Sequence, residues 1–349
     1  MSEQHQTTGQ NGILSISELT VTQNAGEVAP VFGGGIDLPV EVLRNKIGEV
    51  KQAWLLKSRS ANTRDAYERD LSQFMKFQGV DPEYLEQLLL VRPMHVANWI
   101  DTLMQEGCTN STVARKVSAL RSLFSYLKTY GYTGANPAHS HFVRVPPVAK
   151  DGLTPELDPH KCRELLDAPD DSPAGKRDAA IFASLAFGAI RVGELVRLKV
   201  KDYRTTGVHR VFDIYGKGGK HRRIPLNPEA AEKLEAYLDV ANLRDTPNTP
   251  LFRPTLTARG RGYDGWQNSH LTTRAVQFLL EKYSKQLLFP CGISVHSLRV
   301  TALSQARRQG FDIIDLQAFA GHATAEVTQR YIRSEKRMAD SPAYSIRYD

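Results

Sequence analysis

Cysteine is scarce in this chain: Cys108, Cys162 and Cys291 stand far apart, with no CxxC pair and no His/Cys cluster at metal-ligand spacing. An odd, scattered set argues against a disulfide framework and a structural zinc, and free, mostly buried thiols are expected. Long apolar runs are missing as well. No stretch of eighteen apolar residues occurs, and the opening MSEQHQTTGQNG has neither the basic region nor the apolar core of a signal peptide. A soluble, cytoplasmic protein with no membrane partner is therefore expected. Positive charge is sparse at the start, where residues 1–50 hold two basic against six acidic side chains. The remainder carries a net +11 within an overall +7, at a pI near 9.2. That placement favours an anionic partner, and nucleic acid over a membrane surface, because no basic amphipathic helix with exposed Trp and Leu stands out.

What is present is enough apolar material for packed cores, 41% of 349 residues, in a chain longer than one core usually holds. Residues 1–40, polar and glycine-rich, read as a flexible arm. From Pro39 the spacing predicts helices. Leu43, Ile47 and Val50 share a face, and Asn62 or Thr63 can cap a helix whose Tyr67, Leu71, Phe74 and Met75 recur at helical intervals. Val96, Trp99, Ile100 and Leu103, then Val113, Val117, Leu120 and Phe124, repeat the design and imply a helical bundle over 41–140. Its last helix carries Thr112, Arg115, Lys116 and Arg121, a polar and basic set suited to DNA phosphates or to a plain solvated face. Paired prolines mark a linker over 141–153.

Residues 154–349 mix element types. Arg177 to Gly188 reads as a buried helix stopped by its glycine, and His209–Tyr215 and His221–Leu226 as strands of one small sheet joined by GKGGK. Helices are expected from Asn227, Thr273, Ser294, Asp312 and Thr324. Along this half run Arg191, Lys217, His296, Arg299, His322 and Tyr331. Singly each has an ordinary reading: Arg191 with Glu194 as a structural ion pair, His322 and Tyr331 as surface and core residues of a helix pair. Jointly they supply what metal-free phosphodiester cleavage needs, namely two guanidinium forks, two imidazoles, an ammonium near the leaving group and a tyrosine nucleophile. Tyrosine attacks poorly at its ordinary pKa of about 10, so cationic neighbours that favour the phenolate help.

The motifs GAIRVGELVRL, YGKGGKHRRIPL, HSLRVTALSQARRQG and GHATAEVTQRYIR, in this order and with nine residues from His322 to Tyr331, resemble those of the tyrosine recombinases or phage integrases, especially the Xer type. SANTRDAYERDLSQF and NSTVARKVSALRSLFSYL resemble the family's core-binding domain, so the likeness spans about residues 45–335. It implies a mainly α fold with a small antiparallel sheet, made of a helical core-binding domain and an α+β catalytic domain that form a C-shaped clamp on DNA. Arg191 and Arg299 would hold the scissile phosphate, His322 would hydrogen-bond it, and Tyr331 would attack to leave a 3′-phosphotyrosyl bond. His296 would assist proton transfer, Glu194 would support Arg191, and Lys217, with Lys220 as second candidate, would protonate the departing 5′-hydroxyl. No cofactor, ATP or metal is implied. The implied partner is double-stranded DNA at a specific site, bound by a homotetramer built as a dimer per site, with or without accessory proteins, in the nucleoid. Strand exchange through a Holliday junction would serve integration, excision or resolution of a mobile element or replicon. The same covalent step fits a type IB-like topoisomerase or hairpin resolvase, and a non-cleaving DNA-binding protein is the reading from another class. Val300, Thr301 and Ala302 depart from the family's usual residues after the second arginine.

Overall fold

The computed structural model describes residues 30–31, 34–35, 38–148, 154–216, 221–258, 262–290, 292–322 and 324–331. The chain divides into two compact units, Met1–Ala149 and Lys150–Asp349. In the first, β1 (Pro30–Val31) pairs antiparallel with β2 (Gly34–Gly35). Helices α1 (Val40–Lys57), α2 (Ala61–Phe77), α3 (Pro93–Gln105) and α4 (Asn110–Thr129) follow. Helix α4 packs on the other three. Its Val113, Val117, Leu120 and Phe124, spaced for one helical face, are fully buried beside Ile47, Leu71, Phe74 and Val96. Each such side chain contributes about 1.5–3 kcal/mol. Trp54 is buried too, and its indole N–H donates to Ser122 Oγ at 3.0 Å, which satisfies the one polar group that burial would strand. Helix α2 begins before the expected cap. Ser60 holds the capping position without a side-chain bond, and Arg64 donates to the Ser58 carbonyl at 2.8 Å instead, leaving Asn62 and Thr63 inside the first turn.

The second unit is built on α6 (Pro173–Gly188), a helix buried on nearly every side and packed against α5 (Pro159–Asp167), α7 (Val192–Leu195), α8 (Pro228–Val240) and α10 (Val295–Arg308). Strands β3 (Tyr203–Thr206), β4 (His209–Tyr215) and β5 (His221–Pro225) form an antiparallel sheet in that order. Phe212 pairs with Ile224, and with Ile214 they face the core. A second hairpin, β6 (Thr255–Ala258) with β7 (Gly262–Trp266), makes two sheets in this unit where one was expected. Its glycines and arginines carry no apolar alternation that would announce strands. Helices α9 (Thr273–Gln286), α11 (Ile313–Ala320) and α12 (Ala325–Tyr331) complete the unit. No described helix is long and apolar enough to cross a membrane. Cys108 and Cys162 are free thiols, but half-buried rather than buried, and burial pushes the Cys162 thiol up to about 11. Cys291 lies outside the described residues.

Candidate active site

The site is assembled where α6 and α11 end. Helix α6 runs through Gly188, and the residue that turns the chain is Ala189, in the left-handed region at φ 46° and ψ 26°, not the glycine. The chain then reverses into α7 with Arg191 at its N-cap. Helix α11 stops at Gly321, also left-handed at φ 62°, and His322 follows. Helix α10, capped by Ser294, carries His296 and Arg299. His296 is exposed on the surface, while Arg299 is 1% exposed. The two therefore do not share one outlook, although three residues separate them on a helix.

Arg299 lies across two helix C-termini, where carbonyls concentrate partial negative charge. Its Nη1 donates to the Ala189 carbonyl, and its Nη2 to the Ala320 carbonyl at 2.7 Å. Nη2 also meets His322 Nε2 at 2.7 Å. A guanidinium only donates, so Nε2 is the acceptor, and Nδ1 carries the hydrogen that goes to Thr328 Oγ1 at 3.0 Å. Burial, then the charges of Arg299, Arg191, Arg222 and His296, hold the His322 imidazolium off to a pKa of about 3. His296 is lowered by the same causes, first the protein packed around the ring despite its exposed edge, then Arg299 and Arg191.

Arg191 presents its guanidinium outward, 43% exposed, with Nη1 on Glu194 Oε1 at 3.1 Å and Nη2 on the Gly321 carbonyl at 3.4 Å. The Glu194 carboxylate is buried beneath it and accepts from the Arg191 backbone N–H at 3.0 Å. Arg222 of β5 grips both oxygens, at 3.2 and 2.8 Å. Burial works against the carboxylate charge, but the hydrogen bonds from Arg222 and the Arg191 backbone and the two guanidinium charges outweigh it, leaving Glu194 at about 2. A groove of about 620 Å³ opens between Arg191, Arg197, Arg222 and His322 and reaches Gly216 and His221 at the edge of the β4–β5 hairpin. The guanidinium groups of Arg191, Arg197 and Arg222 with the imidazoles of His221 and His322 around one groove can bind a phosphate and move a proton beside it.

Of the predicted residues, Arg191, Glu194, His296, Arg299 and His322 come together here. Lys217 and Lys220 lie outside the described residues, and for Tyr331 only its helical backbone at the end of α12 is described. In the bundle, Arg115 is exposed and paired with Asp70, and Thr112 is half-buried beside its cap Thr109. Lys116 is turned inward, against Gln73 and 5.7 Å from the Trp99 ring, and Arg121 Nε donates to the Ala138 carbonyl at 2.8 Å. Both make contacts within the bundle. Arg222 and Thr328 were missed. Arg222 shares the inward face of β5 with buried Ile224, and a basic residue at an inward strand position was the signal that could have found it.

Residues 155–338 match the Phage integrase family, and residues 51–131 match the Phage integrase, N-terminal SAM-like domain. The Tyrosine recombinase XerC of Thermodesulfovibrio yellowstonii is 33% identical over 280 residues, covering 79% of this chain and 87% of that protein. The Tyrosine recombinase XerD of Listeria monocytogenes is 32% identical over 283 residues, covering 79% and 89%. Among solved structures, a lambda integrase dimer bound to a COC′ core site superposes with a TM-score of 0.64 at 16% identity, over 84% of this chain and 78% of that one. The Tn1549 transposon integrase in complex with circular intermediate DNA gives 0.60 at 18%, over 86% and 99%. These last two likenesses speak to fold.

Proposed function

The chain belongs to the phage integrase family and is a tyrosine recombinase, an enzyme of site-specific DNA recombination; from that premise we propose the roles of its residues. Arg191 and Arg299 bind the nonbridging oxygens of a scissile phosphate in duplex DNA. A phosphate oxygen is a stronger acceptor than an imidazole nitrogen, so it takes over the Arg299 donor that His322 now receives. Tyr331 attacks phosphorus, its phenolic proton passing toward His296, and the new O–P bond replaces the P–O5′ bond. Lys217 gives a proton to the departing 5′-oxygen. The 5′-hydroxyl of a partner strand then reverses the step, so no external energy is spent, and two such rounds in a homotetramer pass through a Holliday junction.

The observation that carries this reading is His322, which lines the groove with Arg191, is bonded to Arg299, feels the charges of Arg299, Arg191 and His296, and is tied through Thr328 to the helix that ends in Tyr331. The test is incubation with a nicked duplex from a selected binding site. A covalent protein–DNA adduct is expected from the natural chain and none from Tyr331→Phe, which should keep its DNA affinity. Adduct formation by Tyr331→Phe would remove Tyr331 as nucleophile, and tight binding with no adduct from the natural chain would make the protein a binder only.

A further inference from the structure

Glu194 sits between two arginines that treat it differently. Arg191 gives it one guanidinium N–H and remains 43% exposed toward the groove. Arg222 gives it two, and its side chain is only 16% exposed. A two-pronged arginine–carboxylate contact is the stronger geometry, so the carboxylate charge is met chiefly by Arg222. One anion buried among two cations neutralises one of them. We propose that Arg222 is a positioning residue that cancels the charge of Glu194, so that Glu194 orients Arg191 without consuming the positive charge that Arg191 brings to a phosphate. This rests on the phosphate-binding role proposed above for Arg191.

Two further features belong to the same arrangement. A Cβ on Gly321 would fall 2.8 Å from Arg222 Nη1 and 3.0 Å from its Cδ and Cζ, so the glycine leaves room for this guanidinium as well as supplying the left-handed turn. The Gly321 carbonyl meanwhile accepts from Arg191 Nη2, so both arginines bear on one residue. In addition, Arg222 Nε is buried without a hydrogen-bond partner. A stranded donor costs about 1–3 kcal/mol, and its retention here fits a residue kept for the charge of the site rather than for stability. Without Arg222, the buried carboxylate would have Arg191 as its counterion, and the pair would close on itself.

The test is the rate of covalent adduct formation in single turnover, using the full chain and a nicked duplex whose scissile group is either a phosphodiester or a methylphosphonate, which lacks the nonbridging charge. Arg222→Gln should slow the phosphodiester reaction about 10- to 100-fold, the range for partners that orient a charged ligand from behind. On the methylphosphonate, where Arg191 meets no anion, the variant should approach the natural chain. Adding Glu194→Gln to Arg222→Gln should restore part of the lost rate, because the uncancelled charge is gone. Should Arg222→Gln fail to fold, as read by thermal melting, the same two substrates are compared in Arg222→Met, which keeps the apolar stem and loses the charge. An unchanged phosphodiester rate, or an equal loss on both substrates with no recovery in the double variant, overturns the proposal. No adduct from the natural chain would instead overturn the nucleophilic reading, and this proposal with it.

Discussion

Arg299 Nη2 and His322 Nε2 are 2.7 Å apart, both buried, and the donor-only guanidinium makes the imidazole a neutral acceptor. The folded-state pKa of His322, about 3 against an ordinary 6.5, has a definite consequence for stability. In the unfolded chain this histidine takes a proton below about 6.5, and in the folded chain it does not until about 3. Its contribution is therefore complete above the upper value and is lost as pH falls toward the lower one. Carboxylates titrate in part of this window, so the comparison is with His322→Gln. The gap in urea midpoint between the natural chain and the variant should narrow from pH 7.5 to pH 5. A constant gap would mean that His322 titrates alike in the folded and unfolded chains.

Thr328 fixes the other side of the same ring. Its hydroxyl accepts from Nδ1 at 3.0 Å and is fully buried, so Thr328→Val preserves the shape and strands an N–H. The expected cost is about 1–3 kcal/mol by denaturant unfolding. Adduct formation should fall further than that loss of stability explains, since the link from His322 to α12 goes with the hydroxyl. Thr328→Ser should recover most of both. A valine variant as stable as the natural chain would show that Nδ1 has found another acceptor.

Lys116 offers a check on the bundle. Charge alone makes it a phosphate ligand, but its amine is spent on Gln73 and the Asp70 carboxylate at 3.8 Å. Lys116→Met, which retains the apolar stem, should leave the salt dependence of DNA affinity unchanged. A contact with one phosphate contributes a slope of about 0.9 in log K against log salt. A drop of that size in the variant would place the amine on DNA.

How much was legible beforehand follows from where chemistry repeats and where it does not. The helices announced themselves because Val113, Val117, Leu120 and Phe124 share one buried face. The β6–β7 hairpin did not, because ARGRGYDGW has no apolar alternation to display its faces. Arg191, His296, Arg299 and His322 were legible as a set, since phosphate chemistry restricts residue types more tightly than packing does. Their surroundings were not. The carbonyls that hold Arg299 carry no side-chain signature, and whether a lysine on a helix points outward, or inward as Lys116 does, depends on neighbours from other helices.

Ala189 shows the same limit at the level of one backbone angle, and it can be tested directly. Glycine is the residue type for a left-handed turn, yet Gly188 lies in the helix and Ala189, fully buried, takes φ 46°. A residue with a Cβ pays about 1–2 kcal/mol there. Ala189→Gly removes that strain but also a buried methyl of about 0.8 kcal/mol, so the two effects should nearly cancel in a denaturant melt. Ala189→Val adds a β-branch to an unfavourable backbone region and methyl groups to a filled core, for a combined loss of about 3 kcal/mol. The Ala189 carbonyl also receives Arg299 Nη1, so a shifted turn would carry the guanidinium with it. Adduct formation in the valine variant should consequently drop even at temperatures where the protein remains folded. A valine variant of natural stability and rate would show that the turn after α6 is not left-handed and that Arg299 is held by other means.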